Sequence, residues 1–265
     1  MRQGGNPVTV ELPAEVSDRL IGQVAPETIR TTSVPRHDAS LVEILTAMPD
    51  MASAVADALD ELGVGDVLGT AELAPVAAGM RVCGPAVTLR YVGVHGEPAV
   101  HRAAGAKLLV GDRDLYGVAS AGDVAVVDCG GVRTAAVMGE LSALWARKAG
   151  VAGCVVDGAV RDTASLIATG LPVWSRSRIP LAARHRVQAV AVNDVVSLAG
   201  VPVRPGDYVV ADDDGICIVP FAVFPDIVAM CRRGQEAERD LATAIEQAGD
   251  LAELVRRLRS TTVAD

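Results

Sequence analysis

Two short stretches carry residue types that can do chemistry together: Gly139-Glu140-Leu141-Ser142 and, further along, Arg161-Asp162. Asp162 offers a hard oxygen ligand of the kind Mg²⁺ or Mn²⁺ prefers, and one carboxylate completed by water and a chelating substrate is a normal Mg²⁺ site. Arg161 offers a planar fork for a carboxylate or carbonyl oxygen. A helix starting near Met138 would leave its first backbone N–H groups without intrahelical partners, and with the helix dipole these attract an anion. Gly139 would let a ligand approach that backbone closely, and Glu140 could hold water beside the metal and tune its basicity. Such a set suits cleavage of a C–C bond beside a 2-oxo acid, where the cation chelates carboxylate and keto oxygens and stabilises the enolate left behind. No Schiff-base lysine is required, and Lys107 and Lys148 both lie outside the two stretches. As isolated dipeptides the same residues read as a helix-start acid, Asp162, with a surface partner, Arg161. The chemistry therefore depends on the fold bringing the stretches together.

The elements that would do so alternate. Gly122-Asp123 is a turn, and the apolar run that follows to Asp128 fits a strand buried on both faces. A helix is expected over 136–149, a second buried strand over 153–157 with a turn at Gly158, a helix over 162–169 and a short strand over 173–175. This is an α/β pattern. Upstream, Val55, Leu59 and Leu62 give an apolar helical stripe within 40–63, and 80–94 reads as a strand. Residues 99–106 read as a helix and 108–110 as a short strand. Downstream, short strands are expected over 187–192, 195–198, 208–211 and 216–219. Asp212-Asp213-Asp214-Gly215 invites a metal site, but Asp-Gly between apolar runs favours a hairpin turn. Residues 223–259 form a helical tail with breaks possible at Gly234 and Gly249. The chain divides into an N-terminal extension (1–40, with a short helix over 15–24), a central α/β domain (41–222) and a C-terminal helical segment (223–265).

Composition excludes several classes. Net charge is −9, from 24 basic and 33 acidic residues, with no basic block, and aromatics are 3%. That argues against nucleic acid and against an anionic membrane surface. Cys83, Cys129, Cys154, Cys217 and Cys231 show no CxxC spacing and read as core filler in a reducing compartment. No signal peptide or apolar span is evident, so the cytoplasm is the expected location. His95, Glu97 and His101 match no established ligand spacing and read as exposed histidines flanking a loop.

Taken together, Gly84-Pro85-Ala86-Val87-Thr88, the run from Gly122 to Asp128, Gly139-Glu140-Leu141, Gly158-Ala159-Val160-Arg161-Asp162, and Pro205-Gly206-Asp207 leading to Gly215 resemble the RraA-like family over roughly residues 50–220. That family includes class II 4-hydroxy-4-methyl-2-oxoglutarate aldolases and oxaloacetate decarboxylases. Their motif is an acidic residue, twenty intervening residues, then Arg-Asp, which Glu140 and Arg161 match. The resemblance implies a swivelling α/β/β-type sandwich assembled as homotrimers or homohexamers. It implies that Asp162 binds the metal, that Arg161 binds substrate, that residues 139–142 hold the pyruvoyl part through backbone amides, and that Glu140 acts on water at the metal. Aldolases of the family often carry Asp where this chain has Glu140. In some members a Glu from a neighbour's C-terminal helix contributes, a part open to Glu236 or Glu238. Arg176, Arg178, Arg184, His185 and Arg186 are candidates for contact with a substrate's distal part. The family's namesake inhibits a ribonuclease, a non-catalytic role that does not need the metal Asp. A methyltransferase role is discounted for want of a Gly-rich nucleotide loop.

Overall fold

The computed structural model describes residues 12–105 and 110–262. The longest strand, β3 (Val82–Gly93), is the spine of one ten-stranded sheet. Of the earlier strands, β1 is Asp66–Gly69 and β2 is Ala74–Pro75. Then come β4 (Val124–Asp128), β5 (Ala136–Met138), β6 (Gly153–Val160) and β7 (Val173–Arg178). The last are β8 (Val187–Val192), β9 (Val196–Leu198), β10 (Val201–Val203), β11 (Tyr208–Ala211) and β12 (Gly215–Val219). The order is β1-β12-β11-β3-β4-β6-β7-β2, with β5 beside β6 and β8 beside β3. The start of β3 pairs with β11 and its end with β8, both antiparallel, so the sheet bends around β3 and nearly closes into a barrel.

Three apolar layers follow from strand alternation. Val124, Val126 and Val155 point inward to meet Val209, Ile216, Ile218 and the buried Trp174. On the outer face Ala125, Val127, Cys154 and Val156 pack with α5 (Asp112–Val118) and α6 (Glu140–Lys148). Beyond β11 and β12, a third cluster joins α2 (Ala39–Thr46), α3 (Met51–Leu62) and the first turns of α8 (Phe224–Gln247). The helices α1 (Ala14–Ser17), α4 (Pro98–Ala103), α7 (Thr163–Ala168) and α9 (Leu251–Thr262) complete the set. The fold is thus the expected α/β sandwich with a helical tail, and α2, α3 and α8 cover the β11–β12 side of the sheet. All five cysteines are free and buried. Among the described residues no single helix is long and apolar enough to cross a membrane.

Several local readings need correction. Residues 136–138 are a strand, not the start of a helix: this buried run pairs in parallel with β6, and α6 begins only at Glu140. A short apolar run fits either period, and here sheet pairing decides. Strand β6 does not turn at Gly158 but runs on to Val160. A Cβ at Gly158 would lie 2.4 Å from the Cys129 sulfur, so glycine is required there by close approach. Gly158→Ala is expected to destabilise the protein by about 1–3 kcal/mol through overpacking, read as a lower midpoint in urea with an unchanged slope. An unchanged midpoint would contradict this packing.

The helix expected over 15–24 stops at Ser17, because the amides of Ile21 to Val24 bond the Asp114 carboxylate instead. Helix α4 ends at Ala103, and of the strand expected over 108–110, residues 108 and 109 lie outside the described residues. The tail passes through Gly234 unbroken and interrupts only between Gln247 and Leu251. The Asp212–Gly215 turn joins β11 to β12 as expected, closed by the Asp212 N–H to the Gly215 carbonyl at 3.1 Å. Its aspartates accept from the backbone N–H groups of Ala52 and Gly79 and the hydroxyl of Ser53.

Candidate active site

Strands β5 and β6 run in parallel, with Met138 beside Val160, so the loops at their C-terminal ends emerge together. One loop is Gly139 leading into α6; the other is Arg161-Asp162 leading into α7. The Arg161 N–H donates to the Met138 carbonyl at 2.9 Å and ties the loops at their base. A crevice at the carboxyl ends of parallel strands is where open α/β sheets bind ligands.

The two stretches singled out from the sequence are in contact. A Cβ on Gly139 would stand 2.6 Å from Asp162 Oδ2 and 3.1 Å from Arg161 Cγ, so the missing side chain is what admits the carboxylate. Asp162 caps α7 with a left-handed backbone, φ 54° and ψ 41°. Few residues adopt that region, and Asp and Asn are among those that tolerate it. Its carboxylate has one partner among the described residues, Arg161 at 3.4 Å, and both side chains are more than a third exposed. The Asp162 oxygens thus face open space, which fits a single-carboxylate Mg²⁺ or Mn²⁺ site. Among the described residues no group of three His, Cys, Asp or Glu side chains is placed to hold a metal. The rest of any shell would come from water and ligand.

At the start of α6, Gly139 is extended and supplies no side-chain cap, so the amides of Glu140, Leu141 and Ser142 are left for a ligand. Glu140 is half-buried on the same rim and Leu141 is exposed. The Ser142 side chain turns inward, 3.0 Å from the Tyr116 hydroxyl. Gly139, Glu140, Leu141, Ser142, Arg161 and Asp162 all line one cleft of about 830 Å³, within the range of small-molecule sites.

Gln23, Asp112 and Arg113, which the sequence does not single out, form another wall, and Arg184 and His185 a third. Asp112 is 7% exposed, and burial pushes its carboxyl up to about 6, against weaker lowering by Ser142 and Arg113. Its only sequence signal is the charged start of a helix, Asp112-Arg113-Asp114, which usually marks a solvated turn. Of the distal-contact candidates, Arg176 pairs with Asp157, Arg178 bonds the Val76 carbonyl and Arg186 bonds carbonyls of its own loop. Only Arg184 and His185 reach the cleft. His95 is exposed, while His101 is half-buried against the His185 carbonyl at 3.2 Å. Glu236 and Glu238 lie on the exposed part of α8, and neither lines the cleft.

The profile of the RraA-like family, described as Aldolase/RraA, matches residues 52–218, which spans both loops of the cleft. The chain belongs to the RraA-like family. A relative from Halalkalibacterium halodurans, named "Putative 4-hydroxy-4-methyl-2-oxoglutarate aldolase", is 32% identical over 191 residues, covering 72% of this chain and 82% of that protein. Coverage of curated relatives varies, and the chain spans only 30% of the Legionella pneumophila protein DlpA. Among solved structures, an uncharacterized protein from Pseudomonas syringae pv. tomato matches with a TM-score of 0.68 at 25% identity, over 85% of this chain and 97% of that one. Streptomyces coelicolor RraAS2, titled an unusual member of the RNase ES inhibitor RraA protein family, matches with a TM-score of 0.64 at 27% identity, over 78% and 98%. RraA-like folds thus carry both aldolase and inhibitor names, and the residues of the cleft must separate the two readings.

Proposed function

We propose that this protein is a divalent-metal-dependent aldolase and decarboxylase that cleaves 4-hydroxy-2-oxo diacids, of the 4-hydroxy-4-methyl-2-oxoglutarate type, and oxaloacetate to give pyruvate. The observation that carries the reading is the close approach of Gly139, at the uncapped start of α6, to Arg161-Asp162 in one cleft. In this reading Asp162 holds Mg²⁺ or Mn²⁺, which supplies Lewis-acid polarisation of the 2-keto group. The amides of residues 140–142 hold the substrate carboxylate. Arg161 binds the keto oxygen and steadies the negative charge that grows on it.

The steps balance simply. In the aldol substrate the 4-hydroxyl loses its proton, the C3–C4 bond breaks, and its electron pair forms the enolate of pyruvate beside a new carbonyl. In oxaloacetate the same bond breaks with loss of carbon dioxide. A proton returned to C3 gives pyruvate. Glu140, half-buried on the rim, is the residue we assign to moving these protons through water. We further propose a cytoplasmic homotrimer or homohexamer.

Pyruvate release from both substrates, followed with and without EDTA, tests the proposal. Loss of at least about 90% of the activity on chelation, restored by Mg²⁺ or Mn²⁺, is expected for a metal that polarises the reacting carbonyl. Full activity in chelated protein would sink it. The competing reading is a regulatory protein that binds a ribonuclease, favoured by the likeness to RraAS2. A stable ribonuclease complex in pull-downs, with no turnover of any 2-oxo acid, would reverse the order.

A further inference from the structure

We propose that the N-terminal strap, residues 19–24, is a recognition wall of the cleft, with the Gln23 side-chain amide selecting ligands that carry a second, distal carboxylate. The inference rests on the 2-oxo acid reading of the cleft and adds a specificity residue to it.

The strap is seated by built features of α5. The Asp114 carboxylate is fully buried and accepts four consecutive backbone N–H groups. Its Oδ1 takes Ile21 at 2.7 Å and Gly22 at 3.2 Å, and its Oδ2 takes Gln23 at 2.5 Å and Val24 at 2.8 Å. Arg19 donates to the Ala119 carbonyl at 2.7 Å at the far end of α5. The helix surface is also cut to fit. A Cβ at Gly117 would lie 2.7 Å from a Leu20 methyl, and one at Gly111 would lie 2.5 Å from a Val24 methyl. A buried carboxylate saturated by amides holds such a segment in one place.

What the strap delivers is Gln23, on the same cleft as Arg161, Asp162, Arg184 and His185. The Gln23 Oε1 atom is sealed from water without a hydrogen-bond partner among the described residues, although the residue lines the cleft. A carboxamide carries two N–H donors, and one whose oxygen goes unpaired in the wall of a cleft has those donors to offer a ligand there. Covering the core needs only Val24, which is buried; a polar amide with one end unsatisfied adds nothing to that packing. Donors from Gln23, beside the positive charges of Arg113 and Arg184 on the same cleft, match a carboxylate at the end of the substrate away from its 2-keto group.

Calorimetric binding of pyruvate and of 2-oxoglutarate in the presence of Mg²⁺, to the wild type, Gln23→Ala and Gln23→Glu, tests this. Gln23→Ala is expected to weaken 2-oxoglutarate about tenfold, the size of one hydrogen bond to a charged group, and to leave pyruvate within about twofold. Gln23→Glu should weaken 2-oxoglutarate further by placing like charges together. Equal losses for both acids, or no loss for either, would overturn the subsite alone. Failure of the wild type to bind either acid would overturn the 2-oxo acid reading, and the subsite with it.

Discussion

Asp162→Asn is expected to lower kcat/KM for pyruvate release by roughly a thousandfold, about 4 kcal/mol of transition-state stabilisation, while the protein stays folded. The substitution removes the charge that would hold the cation and keeps the shape. Asparagine tolerates the left-handed backbone that Asp162 adopts as well as aspartate does. Asp162→Ala would confound the result, since alanine at that φ adds about 1–2 kcal/mol of backbone strain. The melting temperature of Asp162→Asn should therefore match the wild type in the absence of metal. A variant that melts normally and keeps more than about a tenth of the activity would show that this carboxylate is not the metal's anchor.

The second large effect runs the other way. Asp112→Asn is expected to stabilise the protein at pH 8 by up to about 3 kcal/mol, which in a chain this long raises the melting temperature by roughly 5 °C or more. Burial raises the Asp112 carboxyl from its ordinary 3.8 to about 6 in the folded protein. The folded state thus binds this proton more tightly than the unfolded chain does. Below pH 3.8 both states hold it and no penalty exists. Between 3.8 and 6 the penalty grows, and above 6 the wild type carries all of it. Asparagine mimics the protonated form, so its advantage should be full at pH 8 and close to nothing at pH 4. Melting curves at the two values decide it: equal shifts at both, or destabilisation at pH 8, would contradict the sign.

Much of this was legible in the sequence. The buried strands β4 and β6 announce themselves as apolar runs between glycines, and the spacing from Glu140 to Arg161 spans one strand-ended helical unit, as α6 and β6 confirm. What failed to read has physical causes. Residues 136–138 are too few to show a period of two, so β5 merged with the helix behind it. Gly158 reads as a turn by type, but the neighbour that demands it, Cys129, is 29 positions away and one strand over. Helix α5 opens with three charged residues and contains Gly117, so its pattern looks like a loop. The burial of Asp114 goes with a strap some ninety residues upstream that bonds its carboxylate, which no local pattern encodes. The Gly139–Ser142 and Arg161-Asp162 rim of the cleft was thus readable from local motifs, and its opposite walls only from tertiary packing.

The most direct test of the central claim, that Asp162 anchors a divalent cation against a 2-oxo acid, is Mn²⁺ binding followed by electron paramagnetic resonance with and without oxalate, a stand-in for the enolate of pyruvate. The account predicts that oxalate tightens Mn²⁺ on the wild type and that Asp162→Asn loses both the binding and the oxalate effect. Wild-type Mn²⁺ affinity retained in Asp162→Asn, or unmoved by oxalate, would contradict it.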